Sequence, residues 1–329
     1  MRRVRVFFHN HCFDGSASAA VFTALYRSAR GPAAFEYHGL THQASGLFAG
    51  ADFSGDDNAI VDFKYSPDAR VTWWFDHHQS AFLSPADAEH FHRQHSGQQF
   101  YDPNYGSCTQ FIADIGRKHF NFDPAPLSEL IHWADIIDQA HFPSPQAAVE
   151  LEQPALKLTL AIEGSTNPDL LRRLIPDYLE APLADLIERD YVRRELDPLL
   201  ERHRNSISLI QSRLDCSGGV IAFDLSDLDQ EGYNKFIPYY HCPQGIYSIG
   251  VSRSQYRVKV SVGSNPWHNV PGMVNLAELC ERYGGGGHAR VGAISFAPGA
   301  VDEARAAARE IVAELRASLR ATGAVPAPA

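Results

Sequence analysis

The chain has 329 residues, of which 44% are hydrophobic and 21% are charged, and its formal net charge is −10. This length is most comfortably divided into two domains, and the composition excludes a disordered chain. The negative charge argues against a protein that holds long nucleic acid on a broad basic face, so an anionic ligand must be met locally.

The sequence shows neither a membrane span nor a secretory signal. It contains no apolar run of about 18 residues, and its first apolar stretch ends at His9, too early for the core of a signal peptide. We therefore expect a cytoplasmic protein with no membrane partner. The cysteines form no CxxC pair, so free thiols are expected at all five positions: Cys12, Cys108, Cys216, Cys242 and Cys280.

The first half of the chain alternates between strand and helix patterns. Residues 4–8 form a short run of β-branched and aromatic residues interrupted only by Arg5, and the small-residue helix pattern that follows is closed by Gly31-Pro32. Apolar runs at 58–63 and 70–76 each carry an aspartate at or near the end. These runs predict buried strands of an open parallel sheet with helical crossovers, in which ligands bind beyond the carboxyl ends of the strands.

Helices and a second, smaller domain are expected further along the chain. A charged helical segment at 182–215, with a kink or break at Pro198, separates a domain at 1–181 from one at 216–329. Helices of the first domain are predicted at 107–118, 127–138 and 148–163. The smaller domain should contain strands at 219–225, 245–254 and 256–263, a helix at 274–282, a glycine-rich loop and strand at 284–296, and a helix at 301–320.

Several residues near the first strand could bind a metal. Residues 9–14 place two histidines, a cysteine and Asp14 in one strand-to-helix loop. The alternative is a helix N-terminus capped by Asp14, with His9 satisfied by hydrogen bonds. Asp62 follows a strand and could bridge two cations, although a single aspartate there is more often a turn or cap residue.

Two later segments add further ligands. Asp76-His77-His78 places three metal or phosphate ligands directly after an apolar strand. Asp135 and Asp138 share a face of the predicted helix, and we favour Asp138 because polar groups converge at the helix end with the least desolvation.

A glycine-rich segment in the second half predicts an anion site. Four glycines at 284–287, including Gly286 and Gly287, let backbone amides approach a phosphate, and His288 and Arg290 add donors. A flexible linker is the alternative, but the segment is short and is followed at once by an apolar strand. We interpret it as a phosphate-binding element.

Together these motifs resemble the DHH phosphoesterase superfamily, named after the tripeptide that stands here as Asp76-His77-His78. The segment GGGGHARVGAISF is similar to the GGGH signature of the DHH-associated C-terminal domain, so the resemblance covers nearly the whole chain. It matches the short members, of the oligoribonuclease and phosphoadenosine-phosphate phosphatase types, and the core of RecJ-type exonucleases. The implied fold is α/β, with an N-terminal parallel-sheet domain, a helical linker and a smaller α/β substrate-binding domain.

The resemblance also implies a pair of Mn²⁺ ions, with Mg²⁺ as the alternative, held by the N-terminal domain. Asp62 would bridge the two ions, Asp76 would be a ligand or a partner of the ligands, and His78 would face the substrate phosphate. The implied metal ligands are His9, Cys12, Asp14, Asp62, His77 and Asp138. The implied substrate contacts are Arg253, Gly286, Gly287, His288 and Arg290.

The first motif departs from the commonest family pattern. Cys12 stands where a carboxylate is usual, one residue closer to His9. A thiolate is a softer ligand, so Cys12 could favour a different metal, or it could be a bystander while His11 contributes instead. In the second domain, Arg253 could equally be a surface arginine, and Trp267 could stack on a base or form a hydrophobic lid.

The activity implied by the resemblance is hydrolysis of phosphate esters of nucleotides or short oligonucleotides by a metal-activated water. This would make the protein a manganese-dependent phosphoesterase of the nucleotidase or exonuclease type. The alternatives are a phosphoanhydride hydrolase acting on pyrophosphate or polyphosphate, and a catalytically weak nucleotide-binding sensor. The oligomeric state is left open, with a homodimer as one option.

Overall fold

The computed structural model describes residues 1–41, 46–94, 96–229 and 232–324. These residues form two compact units, each with its own sheet. The first unit comprises Met1–Phe142 and Leu151–Leu200, and the second comprises Pro143–Glu150 and the described residues from Glu201 onward. Within the described ranges, no helix is long and apolar enough to cross a membrane.

The first unit contains the predicted parallel sheet. Its strands are β1 (Arg2–His9), β2 (Ala33–Leu40), β3 (Asp57–Val61), β4 (Trp73–Asp76) and β5 (Gln99–Tyr101). The order is β2-β1-β3-β4-β5, and every neighbouring pair is parallel. Strands β3 and β4 are buried throughout, which explains the apolar runs at 59–61 and 73–75 that they contain. The edge strands β2 and β5 were not predicted, because they are only partly buried and lack such a run.

Helices cover the faces of both sheets. In the described part of the chain the α-helices are α1 (Phe13–Arg30), α2 (Pro85–Arg93), α3 (Cys108–Phe120), α4 (Ser128–Asp138), α5 (Pro145–Glu150), α6 (Pro154–Gly164), α7 (Asp169–Asp177), α8 (Leu183–Leu186), α9 (Asp190–Gln211), α10 (Ile237–His241), α11 (Leu276–Glu281) and α12 (Val301–Ala321). The helices predicted at 107–118 and 127–138 correspond to α3 and α4. A short 3₁₀ turn, Ala125–Leu127, precedes α4.

Two helix predictions need correction. The single helix predicted at 148–163 is two helices, because Leu151 has a left-handed φ of 52° and Pro154 begins α6. Of the kink or break predicted at Pro198, the break does not occur, since α9 runs through this residue. Proline removes one backbone donor but does not prevent a long helix that has other contacts.

Helix α1 is almost entirely buried beside the sheet. Its small residues, including Ala17 and Ala20, allow close approach to neighbouring elements. A methyl group added at Gly15 would lie 2.2 Å from the carbonyl oxygen of His9. The start of α1 is therefore pressed against the end of β1, which fixes both segments at the carboxyl edge of the sheet.

The second unit has a mixed six-stranded sheet. Its strands are β6 (Asp215–Ser217), β7 (Val220–Asp229), β8 (Tyr247–Arg253), β9 (Val258–Ser264), β10 (Gly286–His288) and β11 (Val291–Phe296), in the order β10-β11-β9-β8-β7-β6. Only β7 and β8 are parallel neighbours among these described strands. This sheet and α12 share a core of aliphatic side chains. The glycine-rich segment is not wholly a loop, because Gly286–His288 pairs with β11 as an edge strand.

The expectation of free thiols is wrong for two cysteines. Cys216 on β6 and Cys242 after α10 form a disulfide, with their Cα atoms 6.4 Å apart, within the usual range for such a bridge. Their sequence spacing gave no sign of it, because the pairing depends on how β6 and α10 meet. Cys12, Cys108 and Cys280 are free.

The disulfide predicts a specific alkylation result. When the protein is denatured without reductant, three cysteines should react with iodoacetamide, and prior reduction should raise this number to five. Intact mass and peptide mapping would locate the protected pair at Cys216 and Cys242. Five alkylated cysteines without reduction would show that the bridge does not form.

Candidate metal centre

The parallel sheet brings polar side chains together at one edge. His9 ends β1, Asp62 follows β3, and Asp76 ends β4. The carboxyl ends of parallel strands lie at the same edge, which is the usual ligand site of such sheets. Because β3 lies between β1 and β4, Asp62 occupies the middle of the group.

Asp62 has three properties that mark a ligand position. Its side chain is 1% exposed, and within the described chain neither carboxylate oxygen has a hydrogen-bond partner. Its φ of 55° is left-handed, which is uncommon for a residue other than glycine and clusters at functional sites. Its backbone amide donates to the carbonyl of Phe75 at 2.9 Å, which holds it against β4. A buried carboxylate without donors fits a cation.

The nearest groups to Asp62 are imidazoles. His9 Nδ1 lies 3.5 Å from one carboxylate oxygen, and His77 Nε2 lies 3.4 Å from the other. His77 Nε2 is also 3.7 Å from Asp14 and 3.4 Å from Asp138. One imidazole nitrogen thus faces three carboxylates, an arrangement that a divalent ion would stabilise.

Among the residues that the structure describes, three sets have ligand atoms within 4.8 Å of one another: His9, Cys12 and Asp62; Asp62, His77 and His78; and Asp14, His77 and Asp138. Asp62 belongs to two of these sets, and so does His77. Shared ligands are what a pair of neighbouring ions requires. The sequence-predicted ligands therefore converge on one site.

His77 is oriented as a metal ligand. Its Nδ1 lies 3.0 Å from the carbonyl oxygen of Tyr105, so that nitrogen carries hydrogen and donates. The other nitrogen, Nε2, is buried and has no hydrogen-bond partner within the described ranges. A histidine that binds metal usually fixes its ring in this way. Sequence reasoning missed Tyr105, because a backbone carbonyl leaves no signal in the sequence.

Asp76 orients its neighbours. Its Oδ1 accepts hydrogen bonds from the backbone amides of His77 and His78 at 2.9 and 3.2 Å, and it lies 2.7 Å from His78 Nδ1. Asp76 belongs to none of the three ligand sets found among the described residues. It therefore fits the role of a partner of the ligands better than that of a ligand.

Asp14 connects the site to helix α3. Its carboxylate accepts the backbone amides of Cys108 at 2.7 Å and Thr109 at 3.0 Å, in the first turn of that helix. A helix N-terminus stabilises negative charge. Asp14 is thus a cap, as the alternative interpretation held, but it caps α3 rather than its own helix, and it also faces His77.

The buried acids and bases perturb one another strongly. Burial raises the pKa of Asp62, but the His77 and His9 imidazoles outweigh it and bring the value to about 2. Burial lowers the pKa of His77, but Asp62 and Asp14 raise it to about 10. Burial and the charge of Asp62 raise the pKa of Asp138 to about 6 and that of Asp14 well above its usual range. These acids and bases therefore titrate as one interacting group.

The geometry separates the alternatives that the sequence left open in the first domain. His11 Nδ1 lies 3.4 Å from the carbonyl oxygen of Ile162, and His11 is in none of the ligand sets of the described chain, whereas Cys12 is. Asp135 accepts hydrogen bonds from Ser107 and Gln139, whereas Asp138 faces His77. Cys12 and Asp138, rather than His11 and Asp135, therefore lie together with the other candidate ligands.

The substrate contacts predicted in the second unit lie at different places on its sheet. Arg253 ends β8 and is paired with Val258, at the start of β9. His288 lies on β10 and is paired with Val291, the first residue of β11. Val291 is in turn paired with Gly263, five residues further along β9 than Val258. Five residues of strand span about 17 Å. Arg253 and His288 are thus too far apart to contact a single phosphate.

Arg290 and Trp267 have partners inside the second unit. The Arg290 guanidinium contacts the backbone carbonyl of Asn265 at 3.3 Å, the side chain of Asn269 and the sulfur of Met273. Trp267 packs edge-on against Phe236 at 5.3 Å between ring centroids. Arg290 therefore holds the loop after β9, and Trp267 packs against the second unit's own aromatic side chains.

Comparison with known proteins supports the fold. No family model matches the chain, and no curated protein matches it. PggH, a pGpG-specific phosphodiesterase from Vibrio cholerae, superposes with a TM-score of 0.71 at 18% identity, over 97% of this chain and 100% of its own. The DHH domain of a protein described as a member of a family of ribosomal proteins gives 0.57 at 14% identity, over 95% of this chain and 87% of its own.

RecJ from Thermus thermophilus, solved in complex with Mn²⁺, gives a TM-score of 0.53 at 12% identity, over 95% of this chain and 52% of its own. Across these structures the likeness extends over nearly the whole of the present chain. The chain therefore has the fold of the DHH phosphoesterase superfamily. The fold predicted from the motifs is confirmed, including its second, smaller α/β part.

Replacement of Gly15 by alanine should damage the site through packing. The added methyl group would meet the carbonyl and Cβ of His9, so the end of β1 must move. We expect a loss of about 1–3 kcal/mol of unfolding free energy. We also expect at least about a tenfold weaker Mn²⁺ affinity, as when a ligand loses its support. Gly299→Ala is the matched control, because nothing lies within 4 Å of its added methyl group. Unchanged Mn²⁺ affinity in Gly15→Ala would contradict this role.

Metal binding should release protons. The pKa of about 10 keeps His77 protonated in the metal-free protein at neutral pH, yet a metal requires the neutral ring. Asp138, with a pKa of about 6, also holds a proton in weak acid. We expect Mn²⁺ affinity to fall about tenfold per pH unit for each proton displaced as pH decreases from about 8 to about 6. Titration calorimetry in two buffers of different ionisation enthalpy measures this release, and identical heats would refute it.

Proposed function

We propose that the chain is a divalent-metal-dependent phosphoesterase that hydrolyses phosphodiester bonds of short oligonucleotides. The observation that carries the proposal is the buried Asp62 carboxylate, whose oxygens make no hydrogen bond among the described residues and which belongs to two sets of candidate metal ligands. Such a shared carboxylate suits a two-metal centre, which stabilises both the attacking and the leaving oxygen of a phosphoester.

The residues would divide the work as follows. His9 and Cys12 would hold one ion, Asp14, His77 and Asp138 the other, and Asp62 would bridge them: the fitting set is His9, Cys12, Asp14, Asp62, His77 and Asp138. Two Mn²⁺ or Mg²⁺ ions would supply an activated water and neutralise developing negative charge. The donors are carboxylates, imidazoles and one thiol, a set that divalent ions accept.

His78 and Asp76 would act on the substrate. The Asp76 carboxylate raises the pKa of His78. It also fixes the imidazole through Nδ1, at 2.7 Å. The His78 side chain is 40% exposed, so it can reach a ligand, unlike the buried His77. A protonated His78 would donate a hydrogen bond to a phosphate oxygen and stabilise its charge.

We assign the metal centre to a catalytic domain over residues 1–181, and substrate binding to residues 216–329. Gly286, Gly287 and His288 would contact the substrate through the exposed β10 edge. Arg253 would contact a different part of it, given its place on the sheet. Arg290 would act by holding the neighbouring loop.

Short substrates are favoured for two reasons. The net charge of −10 argues against binding of a long polyanion on a broad basic surface. PggH, which matches this chain over nearly the full length of both, is described as specific for pGpG, a dinucleotide. We therefore propose a 5′-phosphorylated dinucleotide as the preferred substrate.

A substrate panel tests this choice. The purified protein with Mn²⁺ is given pGpG, a 5′-phosphorylated RNA pentamer, a long single strand, phosphoadenosine phosphate and pyrophosphate, and the products are separated by ion-exchange chromatography. We expect mononucleotides from the two short substrates at rates well above those on the long strand. Turnover of pyrophosphate alone would instead establish a phosphoanhydride hydrolase. Nucleotide binding without any turnover would establish a sensor.

Aspartate variants test the ligand assignment. Asp62→Asn and Asp138→Asn should each lower turnover at least about a hundredfold and reduce bound manganese, because each removes a charged ligand. Asp135→Asn is the matched control on the same helix, and it should retain metal and most activity, since Asp135 bonds to Ser107 and Gln139. Turnover and metal content by mass spectrometry are both recorded. A larger loss in Asp135→Asn than in Asp138→Asn would reverse the assignment.

A further inference from the structure

Cys12 occupies the N-cap position of α1 but does not cap the helix. Its φ and ψ of −126° and 132° are those of an N-cap residue, yet its side chain makes no capping hydrogen bond. Serine, threonine, aspartate and asparagine are preferred at that position because they make such a bond. The thiol is instead gathered with His9 and Asp62, with ligand atoms within 4.8 Å of one another.

A second observation identifies this cluster as a metal position. Asp62 is 1% exposed, and its two oxygens have no hydrogen-bond partner in the part of the chain that the structure describes. One of them lies on the side of His9, 3.5 Å from its Nδ1. The His9–Cys12–Asp62 set therefore offers one nitrogen, one sulfur and one oxygen donor around an unpartnered buried carboxylate.

The other end of the site has a different chemical character. Asp14, His77 and Asp138 supply two carboxylates and one imidazole and contain no sulfur. Carboxylate-rich sets suit Mn²⁺ and Mg²⁺, whereas a thiolate selects Zn²⁺ and similar softer ions. Both positions have Asp62 as a neighbour, but they differ in the metal ion that their ligands prefer.

We propose that the centre is built for two unlike ions, with a thiolate-bound Zn²⁺-class ion at His9–Cys12–Asp62 and Mn²⁺ or Mg²⁺ at Asp14–His77–Asp138. The mixed centre rests on the proposed function in one respect, which is that the mixed centre and the phosphoesterase activity both require a metal site here. Binding converts the Cys12 thiol to a metal-bound thiolate and releases one proton to solvent. No oxidant or reductant takes part, and His11 does not substitute, because its ring faces the carbonyl of Ile162.

Cobalt is a direct probe of this arrangement. Co²⁺ bound by a thiolate absorbs in the near ultraviolet through charge transfer, whereas Co²⁺ bound by oxygen and nitrogen alone does not. The wild-type protein, titrated with Co²⁺, should develop this band in proportion to one ion per chain. Cys12→Ser should lose the band while still binding Co²⁺ at the other position, and Cys280→Ser should keep it.

Two further measurements show whether the loss of the band results from removal of the thiol or from misfolding of the variant. Circular dichroism compares each variant with the wild type, and X-ray absorption of the wild-type protein loaded with one equivalent of Zn²⁺ should show one sulfur neighbour at about 2.3 Å. Cys12→Asp should lower the preference for Zn²⁺ over Mn²⁺, measured by competition, at least about tenfold.

The results separate this proposal from the proposed function. A wild-type protein that binds two Co²⁺ ions without the band, or a band that persists in Cys12→Ser, overturns the mixed centre even if oligonucleotides are hydrolysed. A wild-type protein that binds no Co²⁺ overturns it as well. If the band appears and depends on Cys12 but no phosphoester is hydrolysed, the mixed centre holds and the phosphoesterase function fails.

Discussion

The rest of the site depends on one buried negative charge, the carboxylate of Asp62. A buried ion is costly unless charges of opposite sign compensate it. In the metal-free protein the compensation comes from His9 and His77, and it holds the pKa of Asp62 at about 2 while raising that of His77 to about 10. A metal bound by His77 would therefore displace its proton, which would make metal affinity depend on pH.

The packing of the first unit fixes the position of this buried charge and of the groups around it. Asp62 follows the central strand β3 in a left-handed conformation, with its amide bonded to Phe75 of the neighbouring strand. Helix α1 is pressed against the end of β1 at Gly15, which fixes His9 beside it. Asp14, in the first turn of α1, accepts the leading amides of α3. The same contacts that pack these elements therefore also set the positions of the ligands.

Much of this was predictable from local sequence, and the reasons are physical. Buried parallel strands contain apolar runs, so the strands β1, β3 and β4 could be recognised together with the polar residues that end or follow them. Edge strands β2 and β5 carry no such run. The break at Leu151 escaped prediction because its left-handed backbone has no signature in a leucine.

Other features could be recognised only in the folded structure. The pairing of Cys216 with Cys242, the contact of Tyr105 with His77 and the separation of Arg253 from His288 all join residues that are distant in the sequence. The choice between Asp135 and Asp138 could be made only in part from the sequence. Both share a helix face, and only the position of His77 distinguishes them.

The central claim is that two ions share Asp62, and anomalous diffraction tests it most directly. Crystals grown with both Zn²⁺ and Mn²⁺ and measured on both sides of each metal's absorption edge should show two anomalous peaks about 3.5–4 Å apart, with Asp62 in contact with both. A single peak, or peaks that leave the Asp62 carboxylate without a metal, would contradict the account.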